Sequence, residues 1–144
     1  NGVRAVQTLF KMLGEEIAIA KQEASLTDFA TRLERSVNDL QASTVWFVQN
    51  GIANPNNVGA GAHSYMHIMG IVALGLMWLR MATAATNALR NGNGDSDRAF
   101  LEAKLVTARY FAERILPDTG SLRRKIEGGA EALMALSPEM FEAA

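Results

Sequence analysis

The chain has 144 residues, with 14 basic and 15 acidic side chains, two histidines, no cysteine and a formal charge of −1. That balance gives no electrostatic footprint for nucleic acid, and the missing thiols exclude disulfides, thiol catalysis and zinc–thiolate sites. With 49% apolar residues and only three prolines, it is expected to be one all-α domain (residues 1–144) that removes about two-thirds of its unfolded surface from water.

The first helix is expected over about Val3–Ala24, because Val6, Leu9, Phe10, Leu13, Ile17 and Ala20 recur at spacings of three and four. The start NGVRAVQTLFKMLGEE is charged and amphipathic, unlike a secretory signal. It lacks an initiator methionine, and the chain is expected to be a segment of a longer protein. Ser25-Leu26-Thr27-Asp28 has the form of a capping box opening a second helix. Phe29, Leu33, Val37, Leu40, Thr44 and Phe47 form its apolar stripe, and Thr31, Glu34, Arg35, Asn38 and Gln41 its wet face. It should close near Asn50-Gly51, where Gly51 can take the left-handed conformation that ends a helix.

Asn54-Pro55 reads as N-cap and first residue of a third helix reaching about Arg90, roughly 50 Å long. From Tyr65 to Leu79 it runs YMHIMGIVALGLMWL, with His67 the sole strongly polar side chain. No solvated face extends along it, so protein or lipid must wrap its middle. Lipid is the poorer reading, since the apolar run is shorter than the ~20 residues of a bilayer span.

The segment 91–95 reads as a loop, and Ser96 or Asp97 as the start of a fourth helix with Phe100, Leu101, Leu105, Ala108, Phe111 or Ala112, and Ile115 inward. Pro117 should end it. A fifth, shorter helix would hold Leu122, Ile126, Leu133 and Leu136, with Gly128-Gly129 in its middle. Paired glycines cost about 2 kcal/mol inside a helix, so close backbone packing is expected there. The expected architecture is an antiparallel bundle of four main helices plus the shorter C-terminal one.

Chemistry-bearing residues are sparse. His63 and His67 stand at i, i+4 and could meet one metal, but a bundle site needs further ligands, typically from Glu-x-x-His motifs, and none occurs. Glu15 and Glu16 sit on a polar part of the first helix, and Glu34, Glu102 and Glu113 lie near basic residues. All five read as solvated faces with weak ion pairs. Gly59-Ala60-Gly61 follows no strand and lacks the context of a phosphate-binding loop. Trp46, Trp78, Tyr65, Phe111 and the methionines stand at core spacing, and Arg123-Arg124-Lys125 reads as a solvated cluster. No catalytic, cofactor-binding or metal residue is assigned.

Two blocks carry a resemblance. Ser64-Tyr65, Gly70, Gly75 and Trp78-Leu79-Arg80-Met81-Ala82 resemble the long helix in the C-terminal part of acyl-CoA dehydrogenases. Ala108-Arg109-Tyr110-Phe111, Leu116-Pro117, Ile126-Glu127-Gly128-Gly129-Ala130 and Leu133-Met134-Ala135-Leu136 are similar to the tail of the same module. It looks like the extra helical domain of the larger members, including those acting on methylthio-propionyl-CoA. The resemblance implies a cytoplasmic, homo-oligomeric parent that uses FAD to oxidise an acyl-CoA to the 2,3-enoyl-CoA and passes electrons to an electron-transfer flavoprotein. Base and flavin contacts lie in its preceding domains, so this segment is expected to be inactive, a structural support or subunit interface. A free-standing helical interaction module is the alternative, and a metal or cofactor bundle built on His63 and His67 a third reading.

Overall fold

The structure, a computed structural model, describes residues 2–92 and 97–142, with side chains from residue 4. Six helices follow one another among them: α1 (Gly2–Ala20), α2 (Thr27–Asn50), α3 (Pro55–Arg90), α4 (Arg98–Arg114), α5 (Asp118–Glu127) and α6 (Pro138–Glu142). No strand occurs among the described residues. The architecture is the expected antiparallel bundle, with α6 as an unanticipated last turn.

Apolar burial positions the helices. Leu13 and Ile17 of α1, Leu33 and Leu40 of α2, Ile68, Val72 and Leu79 of α3, Phe111 of α4 and Ile126 of α5 share one core. The longest helix, α3, packs against all four of α1, α2, α4 and α5. Two of its glycines permit the close approach. A Cβ on Gly75 would lie 2.7 Å from the Leu33 Cδ1 and 3.1 Å from the Leu116 Cδ2. On Gly61 it would lie 2.7 Å from the Phe47 ring. Of the aromatics at core spacing, Phe111 is buried, while Trp46, Tyr65 and Trp78 are half-buried at the core margin.

Several boundaries differ from expectation. Helix α1 stops at Ala20 rather than Ala24, because buried Leu26 pulls the chain inward through tight turns and the Thr27 hydroxyl bonds the carbonyls of Lys21 and Glu23. The capping box does not form. Leu26 is the N-cap of α2, Ser25 donates to Glu23, and Asp28 pairs with Arg32. Gly51 is right-handed (φ −77°), and its Cβ would meet Val58 at 2.5 Å, so glycine is needed there for space. Asn54 caps α3 as anticipated, accepting from the Asn56 amide at 3.1 Å.

In the loop before α4, Gly92 is left-handed (φ 68°), whereas residues 93–96, including the proposed start at Ser96, lie outside the described residues. Phe100 is 60% exposed rather than inward; it lies under the Lys104 ammonium, on the outer surface of α4. Helix α5 ends at Glu127, before the paired glycines, because Gly129 takes a left-handed conformation (φ 65°) that breaks the helix. The packing expected of that pair exists at one of them, where a Cβ on Gly129 would approach the Asn57 Oδ1 to 3.1 Å. With the helix ended, Leu133 (71% exposed) and Leu136 face outward, not into the core.

Candidate functional site: the open face of the third helix

The residues singled out for chemistry are separated by the fold. His63 and His67 lie side by side on the outside of α3, their rings tilted with centroids 4.4 Å apart, both exposed. No group of three His, Cys, Asp or Glu side chains able to hold a metal occurs among the described residues. Glu15, Glu102 and Glu113 make i, i+4 pairs with Lys11, Arg98 and Arg109. Glu34 instead reaches across to Lys21, 2.6 Å away. Arg80 donates to both carboxylate oxygens of Glu16 and tethers α3 to α1. That hydrogen bonding lowers the Glu16 pKa against the opposing effect of desolvation. The basic cluster is split as well: Arg123 is held by Asp39 and Glu127, and Arg124 and Lys125 face water.

Sequence reasoning missed a polar joint between α2 and α5. The Thr119 hydroxyl, 1% exposed, lies 2.9 Å from both the Asp39 carboxylate and the Leu116 carbonyl, either of which can take its one proton, and 3.2 Å from the Ser36 hydroxyl, which donates to the same carbonyl at 3.0 Å. These bonds satisfy the buried hydroxyls and clamp the start of α5 on α2, which is structural work. At the same end, Asn50 and Asn57 line a cleft of about 490 Å3 with Trp46, Gly129 and Glu131. The side chains of these two asparagines are engaged by backbone: Asn50 donates to the Trp46 carbonyl, Asn57 donates to the Asn50 carbonyl, and Asn57 Oδ1 accepts from the Ala130 amide.

The largest unassigned feature is one side of α3. Gly59, His63, Met66, Gly70, Ala73, Met77, Arg80 and Ala84 are all exposed. Spaced alternately by four and three, they form one seam about 38 Å long. Met66 is 63% exposed and Leu74, beside the seam, 55%. A purely apolar groove of about 380 Å3, lined by Leu9, Met12, Met69, Leu74 and Met77, runs between this side and α1. The expectation that protein must wrap the middle of α3 is therefore met on one side only. By length and composition α3 could cross a membrane. However, its other side is committed to contacts with α2, α4 and α5.

Residues 9–137 match the family described as acetyl-CoA dehydrogenase C-terminal like. The chain belongs to that family. It is also 30% identical over 93 residues to the broad-specificity linear acyl-CoA dehydrogenase FadE5 of Mycobacterium tuberculosis. The aligned part covers 65% of this chain and 15% of that relative, so the chain corresponds to a small fraction of the relative's length. Both findings agree with the resemblance carried by the Ser64–Ala82 and Ala108–Leu136 blocks. In this family member, then, the open face of α3 is the feature that the bundle leaves unused.

Proposed function

We propose that the chain is a noncatalytic helical domain, residues 1–144, cut from the C-terminal part of an FAD-dependent acyl-CoA dehydrogenase. The parent oxidises an acyl-CoA to the 2,3-enoyl-CoA in the cytoplasm and hands its electrons to an electron-transfer flavoprotein. The domain supports the enzyme body or a subunit interface, and its catalytic, cofactor and metal roles are nil. The observation that carries the reading is family membership across residues 9–137 together with a long apolar face that the bundle does not cover.

Neither the groove beside α3 nor the asparagine-lined cleft fits a flavin dinucleotide. The groove beside α3 is lined by Leu, Met, Val and Ala side chains and offers no donor to a diphosphate. In the asparagine-lined cleft the Asn50 and Asn57 amides are already bonded to backbone, and Glu127 and Glu131 beside them repel phosphate. No step of the dehydrogenation is assigned to these residues. The purified chain is expected to be colourless and to reduce no dye with acyl-CoA, whereas the complete parent does both. A yellow, acyl-CoA-oxidising chain would refute the reading.

A further inference from the structure

We infer that the open face of α3 pairs with the same face of a second copy, antiparallel, about a two-fold axis passing between Ile71 and Val72. This deepens the interface role proposed above and rests on it, but its support lies in the seam itself. Alternate spacing by four and three is the repeat with which one helix presents a continuous edge to another. In antiparallel pairs each layer joins positions equidistant from the midpoint. Here those layers are Gly70 with Ala73, Met66 with Met77, His63 with Arg80, and Gly59 with Ala84.

Every layer joins side chains of matching kind. The innermost layers are small and let the two backbones approach closely, as small residues at helix crossings do. The methionines fill the next layers on either side, where an unbranched, polarizable side chain adapts best. The outer polar layer brings His63 of one copy to Arg80 of the other, whose charge is already balanced by Glu16. The N–H of His63 can donate to that carboxylate. No other charged side chain stands on the seam, so a strongly charged partner has nothing to recognise there.

Gly70 supplies an independent indication. A Cβ added to it would meet nothing within 4 Å, so no contact inside the bundle requires glycine at this mid-helix position. Glycine there costs helix stability, and an approaching second helix gives it a use. A helix edge about 38 Å long and 10 Å wide is smaller than the ~800 Å2 that each partner contributes to a standard interface. The expected dimer is therefore concentration-dependent.

Because the chain has no cysteine, single introduced thiols report the register. Met66→Cys and Met77→Cys chains, mixed under mild oxidant, should form the mixed disulfide dimer. Each alone should not, since like positions are then about 16 Å apart along the axis, beyond disulfide reach. Gly70→Leu, which has room in the isolated bundle, should keep the helical circular dichroism spectrum while weakening dimerisation about tenfold or more in sedimentation equilibrium. A Met66→Cys chain that links to itself, or a dimer indifferent to Gly70→Leu, would overturn the pairing. So would a monomer at all concentrations, whether its face is covered by the complete dehydrogenase or by phosphatidylcholine vesicles. Acyl-CoA-dependent dye reduction by the complete parent, measured in parallel, shows separately whether the dehydrogenase assignment stands.

Discussion

Two sides of α3 carry the same residue types and meet opposite fates. On the inner side Gly61 and Gly75 lie where a Cβ would strike Phe47 or Leu33 at 2.7 Å. On the outer side Gly59 and Gly70 have nothing within 4 Å. Ile68 and Leu79 are sealed inside, while Met66 and Met77 are exposed. Hydropathy alone cannot tell the sides apart, because both are apolar. The difference lies in which side meets a neighbouring helix of the same bundle. An apolar helix face without such a neighbour is surface held ready for another body.

The sharpest break between the sides comes from truncation. Ile68→Ala removes a fully buried side chain and should cost about 2–5 kcal/mol in urea unfolding. Met66→Ala, measured at dilute concentration, should stay within about 0.5 kcal/mol of the parent. Equal costs would erase the distinction. Alanine in place of the glycines sharpens it by sign. Gly75→Ala forces Leu33 and Leu116 to give way and should destabilise by about 1–3 kcal/mol. Gly70→Ala should stabilise the isolated bundle by up to about 1 kcal/mol, through helix propensity alone.

Smaller effects belong to the polar joints. Thr119→Val deprives Ser36 and Asp39 of a buried partner and should lower stability by about 1–2 kcal/mol, with α5 amides exchanging faster than those of α2. The Glu16–Arg80 tether gives a pH signature. Its carboxyl is held below the ordinary value of 4.5, chiefly by the Arg80 hydrogen bond. A depressed folded value means stability present above pH 4.5 and lost as pH falls through the folded value. Thermal melts of Glu16→Gln should therefore show a weaker acid-side decline than the parent, and an unchanged decline would remove the tether from the account.

The legible parts of the sequence were those governed by periodicity. The helix order, the core stripe of α2 and the Asn54-Pro55 start of α3 emerged directly, since each depends on spacing or on one local hydrogen bond. Boundaries set by tertiary contacts did not. The end of α1 depends on Leu26 turning inward, and the end of α5 on the left-handed Gly129 packed beside Asn57. Phe100 shows the same limit, because its stripe position was correct for a helix longer in contact than α4 is. The open face was half visible. An all-round apolar α3 signalled more surface than four neighbours could cover, yet only the bundle's geometry identifies Gly59, Met66, Gly70, Ala73 and Met77 as the uncovered set. The alternate four-and-three spacing of those residues was the available signal, hidden among equally apolar neighbours.

Self-pairing requires that the outer side of α3 become buried when copies meet. Hydroxyl-radical footprinting over a concentration series measures this on the unmodified chain, with methionine oxidation as readout. Met66 and Met77 should lose reactivity as concentration rises, while Met134 and Met140, exposed elsewhere, keep theirs. Unchanged oxidation of Met66 and Met77 at every concentration would contradict it.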